Sequence, residues 1–288
     1  MNRSLVALSC LAALVLASCG TQPPATPLAS QVPQRIISVV PSATEMLFAF
    51  GLANRVIAVG DYDELPPEAG EKPRIGGLLN PNVERIIELK PDLVITYASQ
   101  DLGDRMRKLG IRIFPYSHGS IGQTLNYMME LGRAVGSEEN ARQIEQRIRR
   151  TFDEIREHAP THHPRVLLVH NRGIGVLGSF YSVGEKAFQS ELIEMAGGVN
   201  LFGDVDKEVM EPSIEAIIER GPDIIIETLP SSMPDSEVVQ RRKDWNALPK
   251  LPAVVNKRVY IIAENYMLVP GPRLDLAAKK FAEVIGGH

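Results

Sequence analysis

The chain has 288 residues, 44% of them hydrophobic, and a formal net charge of -4. That length buries a substantial core, as one large domain or two compact lobes. The acidic balance supplies no basic field for gripping phosphate, so nucleic acid is excluded as the expected partner. Both cysteines, Cys10 and Cys19, precede the folded part, so no disulfide framework and no Cys-held zinc or iron–sulfur centre is expected.

Residues 1–18 read as an export signal. Arg3 supplies a short positive region, and Leu5 to Leu16 is an apolar run of about a dozen residues, too short to span a bilayer. The run ends in Leu16-Ala17-Ser18-Cys19, where small residues suit a cleavage site and the Cys makes the segment resemble a bacterial lipobox. That resemblance implies lipidation at Cys19 and an extracytoplasmic, membrane-anchored protein. An ordinary signal peptide with an incidental Cys is the alternative. No later apolar run is long enough for a transmembrane helix. Residues 19–34, rich in Pro, Thr, Gln, Ala and Ser, read as a flexible tether.

From Arg35 onward strands and helices alternate. Arg35 to Val40, Val56 to Val59, Asp92 to Thr96 and Ile111 to Phe114 read as strands. Ser42-Ala-Thr-Glu45 reads as a capping box opening a helix through Phe50, and another helix is expected from about Pro81 to Leu89. Such alternation predicts parallel sheets with helices on their faces. The order then recurs. Arg165-Val-Leu-Leu-Val169 echoes Arg35-Ile-Ile-Ser-Val39, and Glu84-Arg-Ile-Ile-Glu-Leu-Lys-Pro-Asp-Leu-Val-Ile95 returns as Glu215-Ala-Ile-Ile-Glu-Arg-Gly-Pro-Asp-Ile-Ile-Ile226, with seven of twelve positions identical. Two copies are too few for a solenoid and fit two similar α/β lobes. Between them Ser137 to His158 contains no Gly or Pro and places Ala141, Ile144, Ile148, Phe152 and Ile155 at helical spacing. It predicts one amphipathic helix of roughly 33 Å. The resulting division is an N-terminal lobe at 35–136, a bridging helix at 137–159 and a C-terminal lobe at 160–288. A stiff bridge predicts small lobe motion; a surface helix of a single domain is the other reading of the same segment.

The paired E-x-I-I-E-x-x-P-D motif, with Gly76-Gly-Leu-Leu-Asn-Pro-Asn-Val-Glu84, Ala196-Gly-Gly-Val-Asn-Leu-Phe202 and Pro270-Gly-Pro-Arg273, resembles the helical-backbone metal-chelate receptors. These are the binding proteins of cobalamin, ferric-siderophore and haem ABC importers. The resemblance covers Arg35 to the C-terminus. It implies two Rossmann-like lobes joined by a single long α-helix, the class III periplasmic binding protein architecture, and a monomer that binds without catalysis or cofactor. It also implies that one Glu per lobe, Glu84 and Glu215, docks on arginines of a permease dimer. Each Glu follows a Pro suited to the first helical position. Complementing a helix dipole is the blander role for either residue alone.

Ligands of open α/β sheets bind beyond the carboxyl ends of the strands. The candidates there are Pro41, Ser42, Asp61, Tyr62, Tyr97, Tyr116 and His118 in the first lobe. In the second lobe His170, Asn171, Arg172, Tyr181, Glu227, Glu264, Asn265 and Tyr266 occupy the equivalent places. By the resemblance, Tyr62 and Tyr181 align with aromatic residues that hold a corrin, which favours cobalamin. The family's two Trp positions, six residues before each docking Glu, carry Leu78 and Val209 instead. His118 and His170 keep axial ligation of haem iron open, and Arg172 suits a carboxylate of haem or of a siderophore. No tight cluster suggests a bare metal ion. A different class is raised by Gly173-Ile-Gly-Val-Leu-Gly178, which fits the G-x-G-x-x-G turn of an NAD-type oxidoreductase. That turn must open a helix, and the β-prone Ser179 to Gly184 follows it, with the next helix expected near Glu185.

Overall fold

The structure, a computed structural model, describes residues 32–97, 100–117, 119–230 and 233–287. The leader, Cys19 and His118 lie outside these. The N-terminal lobe runs β1 (Ile36–Ser38), α1 (Pro41–Ala49), β2 (Val56–Val59), α2 (Pro67–Gly70), α3 (Val83–Glu88), β3 (Leu93–Thr96), α4 (Gln100–Lys108), β4 (Arg112–Pro115) and α5 (Ile121–Ala134). Helix α6 (Glu138–Glu157) follows. The C-terminal lobe runs β5 (Arg165–His170), β6 (Ser182–Val183), α7 (Phe188–Met195), β7 (Val199–Asn200), β8 (Val209–Met210), α8 (Ile214–Arg220), β9 (Ile224–Thr228), α9 (Asp235–Asp244), α10 (Pro252–Val255), β10 (Val259–Ile262) and α11 (Leu274–Gly286). Each lobe holds a four-stranded sheet, in the orders β2-β1-β3-β4 and β10-β9-β5-β7, with every described pairing parallel. A two-stranded antiparallel ribbon, β6-β8, sits beside the second sheet.

The repeated motif has a structural explanation at the base of each sheet. In the first lobe the Arg35 guanidinium donates to the carbonyls of Leu89 and Lys90 at the end of α3, at 2.6 and 3.0 Å. Asp92 receives the backbone amides of Gln34 and Arg35 at 2.8 and 3.1 Å. In the second lobe Arg165 donates to the Arg220 carbonyl at 2.6 Å, and Asp223 receives the Arg165 amide at 2.9 Å. Arginine thus satisfies the orphan carbonyls of the helix end, and the motif's Asp pins the entry of the first strand. Because Pro33 is buried and Gln34 is bonded to Asp92, packed structure begins ahead of the Arg35 boundary that composition suggests.

Helix α6 buries Ala141, Ile144, Ile148, Thr151, Phe152 and Ile155 along one face. The apolar ones among these belong to a hydrophobic cluster that runs from Ile36, Leu93 and Leu125 in the first lobe to Val166, Ile193 and Phe281 in the second. Full burial of each Ile or Phe contributes about 1.5–3 kcal/mol. The start of α6 is held to the N-terminal lobe by Ser137 and Asn140, which donate to the Phe50 carbonyl at 3.2 and 2.7 Å. Its middle is held to the C-terminal lobe by Arg147, which donates to Asp275 at 3.0 Å and to the Pro272 carbonyl at 2.6 Å. The helix therefore joins the lobes as a packed member of a shared core. Separate clusters fill the far face of each sheet. No helix among the described residues is long and apolar enough to cross a membrane.

Candidate functional site

The lobes meet over the carboxyl ends of their strands, where a cavity of about 370 Å³ opens to solvent. Its N-terminal wall is Tyr97, just past β3, and Tyr116, just past β4. The two rings pack edge to face with centroids 5.2 Å apart. Tyr116 packs in the same way on Tyr127 of α5, at 4.9 Å, and its hydroxyl accepts a hydrogen bond from Ser42 Oγ at 2.8 Å. Burial, reinforced by neighbouring Tyr116 and Glu208, pushes the Tyr97 phenol up to about 12, and burial also raises Tyr116. Both present neutral hydroxyls and aromatic faces.

The opposite wall comes from the C-terminal lobe: His170, Tyr181, Phe188, Glu208 and Val209, with Leu268 and Pro270 closing one side. His170 pairs with Tyr181 through backbone hydrogen bonds of 2.8 and 3.0 Å. Its Nδ1 lies 2.5 Å from Thr228 Oγ1, whose hydroxyl reaches the Val169 carbonyl at 3.4 Å. Nδ1 is therefore the donor, and Nε2 carries the lone pair, sealed from water and without a partner. Burial lowers the imidazole to about 4, so it stays neutral in ordinary conditions. Among the described residues no group of His, Cys, Asp or Glu is placed to hold a metal ion.

Of the residues expected to form the site, Tyr97, Tyr116, His170 and Tyr181 meet in this cavity. Ser42 stands behind Tyr116, and Pro41 occupies the first position of α1. The capping box expected there does not form, because Val40 is the cap and both side chains are diverted. Ser42 bonds Tyr116, and Glu45 receives Arg273 at 2.7 and 2.8 Å, joining the lobes beneath the cavity. Asp61 and Tyr62 do not line the cavity: β2 is the sheet edge remote from β4, and Tyr62 lies 69% exposed near Gly77. Tyr266 does not line it either; Arg273 lies over its ring at 5.8 Å.

Arg172 requires the largest correction. It points away from the cavity into the lobe, where its side chain is fully buried between Glu227 and Asp244, each at 3.0 Å. Arg241 completes the cluster, 2.8 Å from Glu227, and Trp245 Nε1 donates to Glu227 at 3.3 Å. Glu227 is thereby consumed as well. A charge in so dry a place must be paired to remain charged, so neither residue faces a ligand. The glycine-rich stretch does not open a helix. Turns and β6 follow it, Asp244 holds the Gly175 amide at 2.8 Å, and the next helix begins at Phe188. Sequence reasoning missed Phe188, Glu208 and Leu268, since they come from loops and a helix whose approach to the cleft is set by packing.

Glu84 and Glu215 sit in the first turns of α3 and α8, helices that run down from the carboxyl edges of the two sheets. Asn82 and Ser213 cap these helices, accepting from Arg85 and Ala216 amides at 2.9 and 3.2 Å. Pro81 and Pro212 therefore precede the caps and do not take the first helical position. Both glutamates are exposed, and neither makes a hydrogen bond or ion pair among the described residues.

The sequence profile described as periplasmic binding protein matches residues 36–266. The chain is 28% identical over 263 residues to the ABC transporter substrate-binding lipoprotein YvrC of Bacillus subtilis (strain 168), covering 88% of this chain and 80% of that protein. It is 26% identical over 253 residues to a vitamin B12-binding protein of Vibrio cholerae, covering 83% and 84% of the two chains. In fold it is similar to the periplasmic heme-binding protein HutB of Vibrio cholerae, with a TM-score of 0.76 at 18% identity over 88% of this chain and 98% of that one. Two parallel-sheet lobes on a shared helix, a cleft at their carboxyl edges and a profile match across most of the sequence lead to one conclusion: the chain belongs to the periplasmic binding protein family, the extracytoplasmic substrate-binding proteins of ABC importers.

Proposed function

We propose that the chain captures a metal chelate in the inter-lobe cleft, a corrinoid in preference to haem or a ferric siderophore, and presents it to a permease dimer through Glu84 and Glu215. The observation that carries docking is the division of labour inside the repeated motif. Its Asp and the preceding strand's Arg are engaged at the base of each sheet, whereas its first Glu stands exposed and unpaired in both lobes. A two-fold permease surface carrying cations fits one such carboxylate per lobe. Edge-to-face tyrosines suit the flat, largely apolar rim of a macrocycle. The similarity to a vitamin B12-binding protein supports the same preference. In this reading the mature chain is tethered by lipid at Cys19, and the residues that follow give the receptor its reach.

The test is transport in cells lacking the native receptor. Glu84→Ala together with Glu215→Ala should reduce corrinoid uptake at least about tenfold, with ligand affinity and thermal midpoint unchanged. Each single change should give an intermediate loss. Uptake that survives the double change would remove the docking role. Absence of cyanocobalamin binding in an absorbance titration would remove the corrinoid preference.

A further inference from the structure

Resting on the reading of the cleft as the ligand site, we infer that Glu45 and Arg273 are positioning residues for it: their pair bolts the loop that forms one side of the cleft to helix α1 of the opposite lobe. The loop joins β10 to α11 and spans residues 263–273. Leu268 and Pro270, in its middle, line the cavity. Arg273, at its end, reaches across the lobe junction to Glu45. Its Nε and Nη2 donate to the two carboxylate oxygens at 2.8 and 2.7 Å. A planar guanidinium held by both oxygens is fixed in direction as well as in distance. Its third donor, Nη1, reaches back to Asn265 Oδ1 at 2.7 Å. One guanidinium therefore ties the two ends of the loop together and ties both to the other lobe.

Helix α1 holds both sides of the cleft on one face. Ser42 and Glu45 are three residues apart, so they are neighbours on the helix surface. Ser42 bonds the hydroxyl of Tyr116 in the N-terminal wall, and Glu45 bonds the loop of the opposite side. Gly271 is buried against the same helix, and a Cβ built on it would lie 3.7 Å from Ser42 Cβ. The spacing that reads as a capping box in sequence thus sets one wall relative to the other. Glu45 is only 7% exposed. Replacing a buried ion pair by apolar residues is often neutral for stability, so the contribution of this pair lies in the geometry that it fixes. Arg147 holds the end of the loop separately, donating to the Pro272 carbonyl at 2.6 Å and to Asp275 at 3.0 Å. Loss of the Glu45 bond therefore frees the middle of the loop without detaching it from the core.

The experiment compares Glu45→Gln and Arg273→Lys with the native full chain in two readouts. Hydrogen exchange reports the loop through the Met267 and Leu268 amides, which donate to the Glu264 and Asn265 carbonyls at 3.1 and 3.0 Å. They should exchange at least about tenfold faster in both variants, with the amides of β5 and β9 unchanged. Titration with cyanocobalamin, and with ferrioxamine B and haemin in parallel, reports the site. The probe that binds the native chain should be held about five- to tenfold more weakly by both variants, mostly through faster release. A cross-link separates positioning from plain stability, because Ser42→Cys with Gly271→Cys sets two Cβ atoms at disulfide distance. It is added to Glu45→Gln in a chain that carries Cys10→Ser and Cys19→Ser. The oxidised form should regain slow exchange at Met267 and Leu268 and most of the native affinity, and reduction of the same sample should lose both. Native affinity in either variant overturns the positioning role and leaves the receptor reading standing. So does a cross-link that restores the thermal midpoint without the affinity, or a cysteine pair that fails to oxidise. Failure of all three probes to bind the native chain overturns the receptor reading and the positioning role with it.

Discussion

The two lobes are alike at their bases and unlike at their cleft edges. At the base each uses an Arg and an Asp to tie a helix end to the first strand. At the cleft edge they diverge. The N-terminal lobe faces the cleft with the packed rings of Tyr97 and Tyr116, and Ser42 bonds the Tyr116 hydroxyl from behind. The C-terminal lobe locks Arg172, Arg241, Glu227 and Asp244 below the surface. Duplicated sequence preserves what each sheet needs to stand. The edges are built from what the copies do not share: one carries a hydrogen-bonded tyrosine layer, and the other has a buried ion cluster within its lobe.

The sharpest way to break this comparison is to remove one member from each edge. Arg172→Ala leaves Glu227 buried without its main partner and should cost about 3–5 kcal/mol of stability. Tyr116→Phe removes the neutral hydrogen bond from Ser42 and should cost about 1 kcal/mol. Urea denaturation measures both. An Arg172→Ala chain of native stability that had lost ligand binding would return Arg172 to the cleft.

A second difference lies in titration. Burial raises Asp63 of the N-terminal lobe to about 6. Its folded value exceeds its ordinary one, so its contribution to stability is complete below about pH 3.8 and is lost as pH rises through 6. Burial lowers His170 of the C-terminal lobe to about 4. Its contribution is complete above about pH 6.5 and is lost as pH falls toward 4. Unfolding free energies from pH 4 to 8 should show Asp63→Asn gaining on the native chain as pH rises. His170→Gln should gain as pH falls, each by up to about 3 kcal/mol. Parallel pH curves for the native chain and both variants would contradict the opposed shifts that burial gives the two groups.

The smallest effect sharpens the likeness. Where α3 and α8 end, Lys90 and Gly221 occupy the same place in the repeat, and both adopt left-handed backbone, with φ of 48 and 55°. A side chain there is strained by about 1 kcal/mol. Lys90→Gly should therefore stabilise by roughly that amount and Gly221→Ala destabilise by as much, as read from denaturation midpoints. In Gly221→Ala the added methyl meets nothing closer than 3.7 Å, which isolates the backbone term.

Periodicity and repetition made most of the scaffold legible. The strands fell within a residue or two of their expected places, and α6 spans Glu138–Glu157 where unbroken helical spacing had put it. Local patterns were less secure where a polar side chain had a tertiary rival. Ser42 and Glu45 have capping-box spacing, yet Tyr116 and Arg273 claim them. Asp61 and Tyr62 follow a strand as Tyr97 does, but strand order leaves them at the far edge of the sheet.

By itself the sequence determined the family, the two-lobe plan, the helix between the lobes and the glutamate repeated in each. These depend on hydrophobic period and motif spacing, which are properties of neighbours along the chain. Only the tertiary structure decided which residues past the strand ends share a cavity, that Arg172 is sealed within its lobe, and that Phe188, Glu208 and Leu268 join the cleft wall. Those outcomes depend on strand order and on which polar groups find partners when buried. Both are settled by contacts between segments far apart in sequence.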